Sequence, residues 1–364
     1  MTIKILDKYI VKKFLLTFFF MLLIFSAIAI VFDFSEKVDD FISQPVTKMQ
    51  ILKEYYVNFV PWINSVLAPL YALITVVFIT SRMAANSEII AMLSAGISFR
   101  RLLLPYFIAS SFLALFHLFA LHYWVPEGNK TLKAFENRYI FKKNVQSKSS
   151  KVHMFISPDT KVFMGYYRKT DSTGLDFKIE KFKDNRLVYL LESPRVQLYE
   201  GPNHWRIKDY TIRKIGPIGG ESLIIGKGKH IDTTLNLTAN DFILVTNAKE
   251  MMTTSELNDY IEVQKMKGVG NTRLFEIEKY KRTTEPITII ILTLLGVAIA
   301  GRKVRGGMGL HLALALFLGA LFIFLTKVSI TFATNVAFSP LLGVWIPNIF
   351  YGILTAILLM RAQQ

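Results

Sequence analysis

Six apolar runs divide the chain, at roughly Phe14–Phe32, Val60–Thr80, Leu102–Val125, Pro286–Ala300, Gly309–Thr334 and Leu341–Met360. A bilayer core of about 30 Å takes about 20 residues of helix. Five runs reach that length; the fourth, about 15 residues, must tilt little or extend into its polar flank. Ala27-Ile28-Ala29 resembles a signal-peptide cleavage site, but the apolar run continues through Ile30, Val31 and Phe32, so a retained helix is expected.

Between the third and fourth runs the period changes to two. "GLDFKI" alternates Leu175, Phe177 and Ile179, "RVQLYE" alternates Val196 and Leu198, and "HIDTTLNL" alternates Ile231, Thr233, Leu235 and Leu237. Turn signals separate such runs: Ser157-Pro158-Asp159, Asp184-Asn185, Gly201-Pro202-Asn203 and Gly216-Pro217. This pattern predicts an antiparallel sandwich or open jelly roll. A helix follows over "SELNDYIEVQKMKG", with Ser255 as N-cap and Gly268 as stop, and a second helical signal runs from Thr272 into the fourth apolar run. The expected fold is therefore a polytopic α-helical membrane protein, with six transmembrane helices in a 3+3 arrangement around an inserted extracytoplasmic β domain. The segments are 1–126, 127–253 (β), 254–285 (helical connector) and 286–364.

One connector is unusual. "NSEIIAMLSAGISFRR", residues 86–101, leads from Ser87 and Glu88 into Ile89, Ile90, Met92 and Leu93, then the small residues Ser94, Ala95 and Gly96. Ile89, Met92, Leu93 and Gly96 recur at helical spacing, a stripe that suits a groove in a partner protein. Glu88 in the first turn is favoured by the helix dipole. The alternative is a helix lying on the bilayer surface; against it, no Lys or Arg lies between Asn86 and Ser98.

Composition supports the membrane reading: 52% of the 364 residues are hydrophobic and 29 are Phe. The net charge of +16 does not point to nucleic acid, because Lys and Arg collect on cytoplasmic loops. Lys4, Lys8, Lys12, Lys13, Arg82, Arg100, Arg101, Arg302, Lys303, Arg305 and Arg361 face only Asp7 and Glu88 on one side. The first loop on the other side is acidic, with Asp33, Glu36, Asp39, Asp40 and Glu54. Both termini are expected inside and the β domain outside.

Catalytic and metal chemistry finds little support. There is no Cys, no His-Glu-x-x-His and no Gly-x-Ser-x-Gly, and His117 and His122 fall on different faces of one helix. The glycines of "GESLIIGKG" miss phosphate-loop spacing, since five residues separate Gly220 from Gly226 and Gly228 stands where Ser or Thr belongs. Lys327 lies within the fifth run, roughly 10 Å from its end at about 1.5 Å per residue. It either snorkels outward or faces a cavity, pairing with an anionic headgroup or with Asp33 or Glu36. Phe14, Phe18, Phe19, Phe20, Phe25 and Phe32 in the first run, and Phe317, Phe322, Phe324 and Phe332 in the fifth, suit packing surface and would equally suit a gate sliding past acyl chains.

Several landmarks occur in one order: "LDKYIVKKF" at the start, "SEIIAMLSAGIS" in the connector, "VPEGN" after the third run, and "SELNDYIEVQKMKG" with "FEIEKYKRTTEP" before the fourth. Over nearly its whole length the chain resembles the LptF/LptG (YjgP/YjgQ) family of lipopolysaccharide export permeases. "LDKYI" and the ending "WIPNIFYGILTAILLMR" look more like LptG than LptF. The resemblance implies a non-catalytic ABC-transporter subunit of the bacterial inner membrane. It would pair with a second permease, homologue or copy, above an LptB-type ATPase dimer that binds ATP and Mg; this chain itself would bind no cofactor. Lipopolysaccharide would enter laterally between the first and fifth spans, near Phe25, Phe32, Phe317 and Phe324, and pass upward to LptC and LptA. Residues 87–96 would form the helix that couples ATP-driven movement to the permease, with Glu88 against the ATPase.

One departure concerns the stretch after the first span, which is basic in LptG-type relatives and is thought to meet lipid A phosphates. Here it reads "FDFSEKVDDF", with Asp33, Asp39 and Asp40 repelling phosphate and Lys37 left as the cation. Either Lys37, Lys327 and a partner subunit supply that charge, a divalent cation bridges, or the substrate carries fewer phosphates. Two other readings stand beside export: a subunit that drives lipoprotein release or an external conformational change, and a membrane-embedded lipid-modifying enzyme with Asp33–Asp40 as its acidic site.

Overall fold

A computed structural model describes residues 4–140, 150–168, 170–184, 186–216, 220–241, 248–267, 272–301, 307–335 and 338–362. Gly268, Arg302, Lys303 and Arg305, and the turn residues Asn185 and Pro217, lie outside them. The chain folds as two compact units, one helical and one β-rich.

In the helical unit, α1 (Ile5–Ser43), α2 (Lys48–Ala85), α4 (Phe99–Ile140), α7 (Arg273–Ala300), α8 (Gly307–Thr334) and α9 (Pro340–Ala362) are the helices with apolar stretches long enough to cross a membrane; α3 (Glu88–Ser94) is the short connector helix. The fourth apolar run gains its length from the polar flank, as α7 begins at Arg273. Local chemistry sets the helix starts. Thr47 and Gln50 cap α2 reciprocally, Gln50 N donating to Thr47 Oγ1 at 3.3 Å and Thr47 N to Gln50 Oε1 at 3.1 Å. Ser98 caps α4 by accepting from Arg101 N at 3.3 Å.

Helix α2 is the centre of this unit. It packs against α1, α7 and α8, and the most apolar stretch of α2 is 72% buried, against 17% for α1 and 22% for α8. Leu73, Val76 and Val77 of α2 join Phe14 of α1, Leu295 of α7 and Ala315 of α8 in one core. The largely bare helices α1 and α8 therefore have most of their surface open to lipid or to a partner.

The β unit is one antiparallel sheet in chain order: β1 (Ser150–Ser157), β2 (Thr160–Arg168), β3 (Thr173–Lys183), β4 (Arg186–Glu200), β5 (His204–Ile215) and β6 (Glu221–Thr234). The expected turns Ser157-Pro158-Asp159 and Gly201-Pro202-Asn203 fall at strand junctions, β1 to β2 and β4 to β5. Where a jelly roll would step over a neighbouring strand, these connections are too short to cross, so the described strands form a meander. The predicted alternation buries one face, pairing Met164 with Phe177, Ile179 with Leu191 and Val196 with Ile207 across strands. Trp205 is fully buried there, and its indole Nε1 donates to Leu237 O at 2.8 Å. The glycine run has a packing explanation: Gly226 lies opposite Tyr210, and a Cβ would collide with that ring.

Helix α5 (Ala248–Met251) precedes α6 (Thr254–Met266). The cap of α6 is Thr253, not Ser255. Glu256 N donates to Thr253 Oγ1 at 3.4 Å, and Thr253 N to Glu256 Oε2 at 2.8 Å. This capping box needs Glu three positions after the cap, which Ser255 lacks.

Candidate functional site

The α3 segment is bounded by two left-handed residues, Ser87 at φ +62° and Gly96 at φ +83°. Gly96 N donates to Leu93 O at 3.0 Å and Ile97 N to Met92 O at 3.1 Å, a Schellman ending that suits glycine at this position. The predicted stripe divides. Ile89 is 1% exposed within the chain's own core, and Met92 packs against that core. Ile89 is withdrawn into the unit because the helix buries one apolar side against the chain's own core, while Met92 is half-buried at its edge. The outward face instead carries Ile90, Leu93, Ser94, Ala95 and Gly96. Glu88 is not a free carboxylate: it accepts from Tyr9 Oη at 3.1 Å and lies 3.5 Å from Lys13 Nζ.

At the Ser43 end of α1, Lys37 turns inward. Its ammonium donates to Asp33 Oδ1 at 2.6 Å and to Tyr55 Oη, and lies 3.8 Å from Glu136, which also accepts from Lys133 at 2.7 Å. The ring of Tyr55 lies beneath it, 5.0 Å away at the centroid. Two cations and two carboxylates balance there, so Lys37 has no surplus charge to give a phosphate. The sequence contained half of this signal, in the Asp33/Lys37 and Lys133/Glu136 spacings; the partnership of Tyr55 and Glu136 across helices was not visible in it.

Lys327 lines a cavity of about 310 Å³ between α2, α7, α8 and α9. Leu70, Leu292 and Phe322 make its apolar wall, while Lys281, Glu285, Glu278, Thr288 and Asn348 bring polar groups to it. Lys281 Nζ is 3.2 Å from Glu285 Oε1, and Arg282 Nε is 3.3 Å from Glu278 Oε1. The Lys327 side chain is exposed and has no ion pair among the described residues.

His117 lies near the Glu285 pair, its Nε2 3.9 Å from Glu285 Oε2 and without a hydrogen bond, whereas His122 Nδ1 is paired with Thr254 Oγ1 at 2.9 Å. Among the described residues no group of His, Cys, Asp or Glu is arranged to hold a metal ion.

The aromatic candidates also separate. Phe32, Phe317 and Phe324 are 62–72% exposed on α1 and α8. Phe25 is different: it stacks on Tyr71 of α2 with ring centroids 4.9 Å apart, which anchors it inside the unit.

The chain matches the family model "Lipopolysaccharide export system permease LptF/LptG" over residues 8–361. No individually curated protein matches it. The match covers the six long apolar helices and the inserted sheet together, so the chain belongs to the LptF/LptG family of lipopolysaccharide export permeases.

Proposed function

We propose that this chain is the membrane-spanning subunit that extracts lipopolysaccharide from the inner membrane and delivers it toward a periplasmic bridge. The observation that carries the reading is the cavity beside Lys327, where an apolar wall and a cluster of polar groups meet an exposed ammonium that forms no ion pair among the described residues. At a helix centre an ammonium costs about 2.5–3.5 kcal/mol on insertion scales, an upper bound at the off-centre Lys327, and an anionic headgroup with acyl chains offsets that cost. Lys327 then meets a lipid A phosphate, while Phe32, Phe317 and Phe324 on the exposed faces of α1 and α8 line the lateral path.

Energy comes from a separate LptB-type ATPase dimer that carries ATP and Mg and docks on α3 from the cytoplasm. A second LptF/LptG-type permease completes the cavity, the β unit lies in the periplasm beside LptC and LptA, and both termini are cytoplasmic. This chain holds no catalytic residue of its own. Co-purification tests the reading: the chain should bring down a soluble nucleotide-binding subunit and lipopolysaccharide together. A photo-crosslinking residue beside Lys327 should label that lipid. Capture of an ATPase without lipid, with no labelling at the cavity, would turn the reading toward lipoprotein release or mechanical signalling.

A further inference from the structure

Two polar contacts join the first turns of α1 to the connector, and they bracket α3. On the α2 side, Tyr9 Oη donates to Glu88 Oε2 at 3.1 Å, and Lys13 Nζ donates to Tyr9 Oη at 2.8 Å. On the α4 side, Arg101 grips the Asp7 carboxylate with both terminal nitrogens, Nη1 to Oδ1 at 2.7 Å and Nη2 to Oδ2 at 2.6 Å. A bidentate pair of this kind fixes orientation as well as distance. The Asp7 side chain is 2% exposed, so the tie is shielded from solvent on one side.

Apolar residues of both helices enter one core. Ile89 of α3 and Ile10 of α1 are buried in the same core, with Leu6 and Val11 packed against it. The chain on either side of α3 turns at the left-handed residues Ser87 and Gly96. These turns set the axis of the seven-residue helix apart from those of α2 and α4. Its orientation therefore depends on what its side chains hold, and several of those contacts lead to α1.

We propose that the Tyr9–Lys13–Glu88 group, which holds α3, and Asp7–Arg101, which holds the first turn of α4, form a two-point latch that makes the Ile5 end of α1 move with residues 88–101 as one body. Asp7, Tyr9 and Lys13 are positioning residues, acting through Arg101 and Glu88. Resting on the reading of α3 as the ATPase-docking helix, the latch gives a direct route from that helix to α1, a largely exposed helix whose Phe32 lies on the lipid path. A push on α3 then reaches α1 without passing through α2.

The chain has no native cysteine, so a pair introduced at the exposed Lys12 and Ser94 can be spin-labelled cleanly. In the full complex, the distance between the labels should stay the same with and without trapped nucleotide. In the chain alone, Asp7→Asn combined with Tyr9→Phe should broaden that distance distribution. In the complex the same substitutions should lower lipid released per ATP hydrolysed by roughly two- to thirtyfold, the range of a coupling change, with hydrolysis retained. Exchanging the charges, Asp7→Arg with Arg101→Asp, should recover part of the ratio where either single reversal does not.

A label distance that changes between nucleotide states in the unsubstituted chain overturns the latch, and so does an unchanged ratio in the double variant. The measurement on the chain alone requires neither ATPase nor lipopolysaccharide. Failure of the export reading would therefore appear as absent partners, and failure of the latch as an unaltered distribution.

Discussion

Lys37 Nζ lies 2.6 Å from Asp33 Oδ1, one helical turn away on the same face of α1. The side chains are 16% and 9% exposed, and Tyr55, Glu136 and Phe59 close around them. The cation that seemed free to meet a phosphate instead neutralises a carboxylate of its own helix.

Removing Lys37 therefore leaves Asp33 and Glu136 buried without their shared cation. Lys37→Ala should destabilise the helical unit by roughly 3 kcal/mol, the scale for breaking a buried pair. The thermal midpoint in detergent measures it. Replacing both partners, Lys37→Met with Asp33→Leu, should recover most of the loss, since an apolar pair leaves less uncompensated charge. If the single variant unfolds normally, the buried network is not holding this end of α1.

Lys327 behaves differently because its ammonium forms no ion pair among the described residues. Lys327→Ala should leave the thermal midpoint unchanged while weakening lipopolysaccharide crosslinking. Loss of one charge-assisted contact, about 1.5 kcal/mol, corresponds to roughly tenfold weaker binding. Normal crosslinking in this variant would remove Lys327 from the lipid site.

Gly96 and Ala95 separate conformational from contact effects in the connector. A side chain at Gly96 meets no atom within 4 Å, so the penalty of Gly96→Ala is the left-handed backbone, about 1 kcal/mol. Ala95 is exposed in an ordinary conformation, and Ala95→Leu should be silent for stability. A fall in ATPase stimulation with Ala95→Leu, at unchanged expression and melting, would identify the surface that meets the partner. Full stimulation would exclude it.

Acid should loosen the start of α6. The Lys130 ammonium beside Glu256, at 2.9 Å, together with the Thr253 N–H, holds that carboxyl below its usual value near 4.5. Such a group stabilises the fold above its unfolded value, and the contribution disappears as pH falls through the lower folded value. Amide exchange over residues 254–258 should accelerate below about pH 4.5 relative to the rest of α6, once intrinsic rates are corrected. Glu256→Gln should abolish that difference.

What local pattern encodes was legible without a structure. Runs of about 20 apolar residues became helices because a membrane demands internal backbone hydrogen bonding. Period-two alternation and Pro/Gly/Asn turns became β strands and their junctions, through the φ and ψ preferences of those residues. The small residues ending residues 86–96 became a Schellman stop for the same reason.

Side-chain direction was not encoded that way. In α1 nearly every face is apolar, so periodicity cannot distinguish Phe25, stacked on Tyr71, from Phe32, which faces outward. Ile89 and Leu93 read alike in the connector, yet only the packing of α2 and α4 makes one core and the other surface. By sequence Lys37 has Asp33 one turn away, and Lys327 stands alone in its apolar run. Tertiary structure brings Tyr55 and Glu136 to the first and a partly apolar cavity to the second, because a charge's role depends on which distant residues share its low-dielectric surroundings. The sequence by itself determined the elements and their order; the packing decided which of their side chains remain available for lipid and partner.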